Sequence, residues 1–127
     1  MRSHFLTLIS VLVLSMAGIG CVVSAPDVPQ GSDQSIFEGR KVWTTFCSSC
    51  HGPSGNGGRG PSVQEIEKKY VNPEDVLLII SKGRNGMPAF EERLSKEEIE
   101  SVYSYIRAVL CRFDRHIRYY FDSDTLT

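Results

Sequence analysis

An all-α fold of four or five helices is what this 127-residue sequence predicts. Three observations carry that expectation. Apolar residues recur at steps of three and four, most clearly at Ile99, Val102, Ile106, Val109 and Phe113, the spacing that lines one face of a helix. Start signals of the Ser-x-x-Glu or Asn-Pro kind stand ahead of such runs. No stretch alternates apolar and polar residues for long enough to make a strand. The formal net charge is −1, so nothing in the charge balance points to nucleic acid or an anionic membrane as partner.

The N-terminus reads as an export leader spanning residues 1–20. Arg2 is followed by a run from Phe5 to Leu14 that is apolar except for Thr7 and Ser10, and then by Ala17, Gly18 and Gly20. This order of charge, apolar stretch and small residues is that of a secretory signal peptide. The apolar run falls short of the roughly 20 residues that span a bilayer comfortably. Two cleavage points remain open. One precedes Cys21, where AGIG-Cys resembles the bacterial lipoprotein signal except for glycine at position 18; the cysteine would then carry a lipid anchor. The other lies near Ala25, behind Val23-Ser24. Residues 21–35, rich in Pro, Gly, Ser and Asp, read as a flexible tether.

A domain is expected over residues 36–110. Ser35, with Glu38 three residues on, fits a capping box opening a helix through Ile36, Gly39, Trp43 and Phe46. Glycine inside a helix costs about 1 kcal/mol relative to alanine, so Gly39 implies the close approach of another helix. Ser62 to Glu65 is a second capping box, starting a short helix toward Tyr70. Asn72-Pro73-Glu74-Asp75 supplies a cap, a first-turn proline and acids, opening a helix that stops at Gly83. Ser95 to Glu98 opens the last helix. Cys111, two residues past Val109, falls off its apolar face and is left as a thiol or as a partner for Cys21 or another molecule. Residues 111–127 form a C-terminal extension, in which Arg112, Arg115 and Arg118 recur every third residue.

The chemistry centres on Cys47-Ser-Ser-Cys50-His51. An exported chain with four cysteines can form two disulfides. A zinc site wants a second ligand cluster, and none follows. A thioredoxin-like pair wants a preceding strand. Cys-x-x-Cys-His is, by contrast, the attachment motif of c-type haem: two thioethers fix the macrocycle edge and the histidine comes up beneath the iron. A sixth ligand has one methionine to come from, Met87, since Met1 and Met16 lie in the leader. Met87 sits in the loop Lys82-Gly-Arg-Asn-Gly-Met-Pro-Ala-Phe90, marked by two glycines and Pro88. Gly52 to Gly60 contains five glycines but lacks the lysine and strand of a phosphate loop; a turn beneath the haem edge accounts for it better. Arg59 and Arg84 are candidates to pair with haem propionates.

In order and spacing these residues resemble the class I c-type cytochromes, from about Phe37 to Leu110. Gly39 and Trp43 match the family's glycine and aromatic ahead of the motif, and Cys47 to Gly52 match the attachment signature. Gly60-Pro61 matches a Gly-Pro whose proline carbonyl receives the ring N–H of the axial histidine. Asn85 to Pro88 match the segment carrying the methionine ligand, and Val102 to Ile106 the terminal helix that crosses the first. The resemblance implies a cytochrome c-like fold around one haem c attached through Cys47 and Cys50. His51 and Met87 would ligate iron, with Pro61 orienting His51. It implies a monomeric one-electron carrier outside the cytoplasmic membrane, between a donor dehydrogenase or membrane complex and an acceptor oxidase or reductase. With both axial positions filled it would not be an enzyme. Two other readings stand beside it: a haem subunit of a larger oxidoreductase complex, and a gas-sensing or peroxidase-like protein in which Met87 dissociates.

Overall fold

The structure is a computed structural model that describes residues 24–111. The leader, Cys21 and the extension 112–127, Phe113 and its arginines included, lie outside the described residues. Within them the all-α expectation is met: five α-helices and two π-helical turns, with no strand.

Helix α1 (Gln34–Val42) is capped two residues earlier than expected, at Asp33 rather than Ser35. The Asp33 carboxylate, not the Ser35 hydroxyl, takes the first orphan N–H, that of Ser35, at 2.8 Å. Glu38 is then released from capping and accepts from Lys41 at 3.0 Å and Gln34 at 2.9 Å. The helix continues into a π turn at Trp43–Cys47 and then α2 (Ser48–His51). Hydroxyls explain the loosened ladder. Thr44, Thr45 and Ser48 bond back to the carbonyls of Arg40, Lys41 and Thr44 at 2.8, 2.9 and 3.0 Å, competing with the backbone for those acceptors. Gly52, at φ 79°, ends the run.

The expected capping box at Ser62–Glu65 does not form. The Ser62 hydroxyl donates instead to the Gly55 carbonyl at 3.1 Å, and α3 (Ile66–Lys69) starts behind Glu65 without a side-chain cap. Helix α4 (Pro73–Lys82) follows its sequence signals, with Asn72 accepting from the Glu74 N–H and Gly83 closing the end. Helix α5 (Lys96–Tyr105) has the complete capping box: Ser95 Oγ accepts from Glu98 N at 3.2 Å and Glu98 accepts from Ser95 N at 2.8 Å. It runs on into a second π turn, Ile106–Leu110.

Helices α1 and α5 cross at Gly39, where a Cβ would collide with the Ser101 carbonyl and lie 2.9 Å from the Tyr105 Cβ. Close backbone approach is therefore the reason for that glycine. Trp43, Val102, Tyr105 and Leu110 are the largest fully buried side chains around the crossing.

Two expectations need correction. Residues 24–35 are not a tether throughout, because Ala25 is buried and the next two residues are held. Arg40 donates to the Ala25 and Pro26 carbonyls at 2.8 and 2.9 Å and pairs with Asp27 at 2.8 Å, while the Tyr105 hydroxyl donates to Pro26 at 2.7 Å. Cys111 is also buried, its thiol 3.6 Å from the Val63 carbonyl. The π turn at 106–110 adds a residue to the last turn, which rotates Cys111 onto the face that a regular α-helix would turn away. Among the described residues the packed body thus takes in Ala25 at one end and Cys111 at the other.

Candidate haem site

A cavity of about 510 Å³ opens beside the helix crossing, within the ~300–1,000 Å³ range of small-molecule sites. Trp43, Cys47 and His51 all line it, although each is four residues from the next. A step of four overshoots one turn of an α-helix by about 40° and falls short of one turn in a π-helix. The π turn between Trp43 and Cys47 followed by α-helix between Cys47 and His51 therefore brings all three to one side. Apolar residues make up most of the remaining walls: Val63 and Ile66 on one side, Val76 and Ile80 of α4, Val102 of α5 and Ile106 of the second π turn, with Glu65, Lys68 and Lys69 among the polar residues that also line the cavity.

His51 is fixed by two neighbours. Its Nδ1 lies 2.8 Å from the Pro61 carbonyl, so Nδ1 carries the proton and Nε2 keeps its lone pair. Its ring rests on Gly60, where a Cβ would come within 2.9 Å of Cε1 and 3.0 Å of Nδ1. The glycine loop sets both contacts: Gly60 N donates to Cys50 O at 2.9 Å and Gly57 N to His51 O at 2.8 Å. Trp43 stands beside the ring, centroids 6.1 Å apart, and is held by its own N–H to the Pro53 carbonyl at 2.9 Å.

Met87 also lines the cavity. It is carried by a two-residue turn in which Asn85 (φ 50°) and Gly86 (φ 89°) are both left-handed, the Asn-Gly geometry of a tight hairpin. Arg84 and Met87 exchange both backbone hydrogen bonds across it, at 3.1 and 2.9 Å. Cys47 is half-buried, and before attachment burial, with the neighbouring Cys50 thiol, pushes its thiol up to about 12. Cys50 stands outside the cavity wall, half-buried, with Arg59 Nη2 3.6 Å from its sulfur.

Four of the five sequence-derived site residues thus meet at one cavity, and Cys50 flanks it. Of the two arginines, Arg59 lies against Cys50, and Arg84 donates to the Tyr70 hydroxyl at 3.0 Å. Tyr70 lines the cavity as well. Sequence reasoning gave it no role beyond a helix end, and no signal in its own neighbourhood distinguishes it.

The donor set fits a haem c. Two thiols three residues apart can take the thioether bonds, an oriented imidazole presents a nitrogen lone pair, and a thioether lies on the same mostly apolar cavity. A glycine beneath the imidazole leaves the ring the only space a flat macrocycle's ligand needs. Among the described residues no group of three or more His, Cys, Asp or Glu side chains forms an alternative metal site.

Comparison with known proteins agrees. Residues 34–106 match the family described as cytochrome c oxidase, cbb3-type, subunit III. Cytochrome c6 of a Synechococcus strain is 30% identical over 104 residues, 79% of this chain and 89% of that one. Cytochrome c-555 of Methylococcus capsulatus is 30% identical over 106 residues, 82% and 85% of the two chains. Among solved structures, cytochrome cL of Methylophaga aminisulfidivorans superposes with a TM-score of 0.54 at 25% identity, covering 74% of this chain and 71% of that one. The fold and site define a small haem-binding helical protein, and the chain belongs to the class I c-type cytochromes. Its cofactor is one haem c, attached covalently through Cys47 and Cys50, and its chemistry is electron transfer.

Proposed function

We propose that the protein is an exported one-electron carrier in which His51 and Met87 would ligate the haem iron. The observation that carries this reading is the fixed tautomer of His51: its Nδ1–H is spent on the Pro61 carbonyl at 2.8 Å, so Nε2 is the nitrogen left for iron. Met87 supports it as a thioether on the same cavity. The haem supplies the redox change when bound, and His/Met ligation raises its reduction potential relative to stronger donors. The chain's own residues orient the imidazole, bring the thioether to the cavity and keep the walls mostly apolar, which sets the dielectric around the iron. No side chain is required as acid, base or nucleophile, which is the basis for reading the protein as a carrier rather than an enzyme.

The donor is a membrane complex or periplasmic dehydrogenase and the acceptor an oxidase or reductase, met in the periplasm or at the outer face of the membrane. Cys21 anchors the chain there if the leader is cut before it; among the described residues no helix is long and apolar enough to cross a membrane. A second reading, a haem subunit of a larger oxidoreductase complex, is favoured by the matched family's description as an oxidase subunit. Co-purification of one stable partner separates it from the free carrier.

The ligand assignment is tested on protein matured with haem. The oxidised form should show the weak sulfur-to-iron band at the red end of the visible spectrum, and Met87→Ala should abolish it while haem stays bound. A haem-loaded wild type lacking the band, whose ferrous form binds carbon monoxide rapidly at neutral pH, would overturn the carrier in favour of a sensor or peroxidase-like protein.

A further inference from the structure

We infer that Tyr70 and Arg84 form a latch that holds the Met87 turn closed over the cavity. The inference rests on the reading of Met87 as an iron ligand and adds the residues that govern how readily it leaves.

The turn is fastened firmly on the α4 side. Gly83 caps α4 at φ 73°, and a Cβ there would collide with the Met87 carbonyl and approach Ala89 N to 2.8 Å. Past the turn, Phe90 N donates to the Ile80 and Ser81 carbonyls at 3.2 and 3.0 Å, and Glu91 pairs with Lys82 at 2.7 Å. These contacts fix the base of the hairpin and leave its tip to be held by something else. Met87 is near that tip, opposite Arg84.

Arg84 supplies the hold from within the turn itself. Its backbone is bonded to Met87 in both directions, at 3.1 and 2.9 Å, so a displacement of one is a displacement of the other. Its guanidinium donates to the hydroxyl of Tyr70 at 3.0 Å. Tyr70 is half-buried just past α3, with its N–H bonded to Ile66 O at 2.9 Å, and lines the same cavity as Met87. The result is a bridge from the wall around α3, through a phenol and a guanidinium, to the backbone that carries the thioether. Release of Met87 by outward movement of the turn has to break that bridge. Asn85 and Gly86 supply the left-handed conformations that the two-residue turn requires, and the paired backbone bonds of Arg84 and Met87 make it move as a unit. Tyr70 and Arg84 are therefore positioning residues, acting on iron through Met87.

The test is the rate at which added imidazole displaces the sulfur-to-iron band of the oxidised haem protein. Tyr70→Phe keeps the ring on the cavity wall and removes only the acceptor. It should show the band, as wild type does, and bind imidazole about tenfold faster, the order expected from one lost hydrogen bond to a charged donor. Arg84→Ala should give a similar rate, and the double variant should be no faster than either single one, since both remove one contact. If wild type shows the band and Tyr70→Phe binds imidazole at the wild-type rate, the latch is wrong and the ligand reading survives. If wild type lacks the band, the ligand reading fails and the latch fails with it. Should Arg84→Ala mature poorly, Arg84→Met, which keeps most of the aliphatic stem and removes the donor, gives the same comparison.

Discussion

Gly60 lies so close to the imidazole of His51 that a single methyl group would have to displace the ring. A Cβ there would meet Cε1 at 2.9 Å and Nδ1 at 3.0 Å, inside ordinary van der Waals contact. Gly60 N is itself tied to Cys50 O at 2.9 Å, so the backbone cannot easily retreat and the imidazole must give way. That movement stretches the 2.8 Å contact to Pro61, which sets both ring orientation and ligand basicity. Gly60→Ala should therefore still attach haem through Cys47 and Cys50 but show an altered reduction potential and a less stable ferric ligand band. Voltammetry and visible spectra of the matured variant check this, and a potential equal to wild type would show that the loop yields instead. At this scale the site was largely legible in the sequence. Cys47, Cys50 and His51 form a compact motif, and Met87 was singled out because no other methionine lies past the leader. Tyr70 was not legible, because its place on the cavity and its bond to Arg84 join residues fourteen apart that no local pattern connects.

Elements expected from local chemistry appear where that chemistry is decisive. Asn72-Pro73 and Ser95-x-x-Glu98 open α4 and α5 as read. The signals failed where a competitor lay nearby: Asp33 displaced Ser35 as cap, and the glycine loop claimed the Ser62 hydroxyl. The two π turns were not legible, since an assumed uniform period of 3.6 residues hides a local change of phase, and Cys111 was misplaced for that reason. Gly39 was legible as a crossing point, and its contacts say how much it matters. An added methyl would strike the Ser101 carbonyl, a backbone atom with no rotamer to escape into. Alanine gains about 1 kcal/mol in helix propensity, against an overpacking cost of roughly 1–3 kcal/mol that a backbone collision pushes to the upper end. Gly39→Ala should lose about 2 kcal/mol in net stability. The expected readout is a lower denaturant midpoint with unchanged slope. A raised midpoint would mean that α1 and α5 separate without penalty.

For the molecule as a whole, the N-terminal strap closes the body across the α1–α5 crossing, and composition alone could not reveal it, since Ala-Pro-Asp reads as linker until its partners are known. Those partners are Arg40, 14 and 15 residues away, and Tyr105, 79 residues from Pro26. The Tyr105 hydroxyl donates to the Pro26 carbonyl at 2.7 Å, a bond that only the protonated phenol can make. Burial pushes this phenol up to about 12 from its usual 10.0, with nearby Arg40 pulling it down and Asp27 pushing it up. A proton held more tightly in the folded than in the unfolded state contributes stability below the unfolded pKa and loses it as pH rises through the folded one. The Tyr105 contribution should thus be constant below about pH 10 and vanish toward about pH 12. Comparing wild type with Tyr105→Phe isolates it, because alkaline changes at the haem affect both proteins alike. Near neutral pH the variant should be less stable by about 1 kcal/mol, the net worth of one hydrogen bond. The difference should shrink as pH climbs past 10, because the phenol of the unfolded wild type ionises there while the buried one still holds its proton. Denaturant titrations across that range read it directly. No difference near neutral pH would mean that Tyr105 secures these residues by packing alone, and a difference that holds steady to pH 12 would mean that the phenol ionises alike in the folded and unfolded chain, against the burial that raises it.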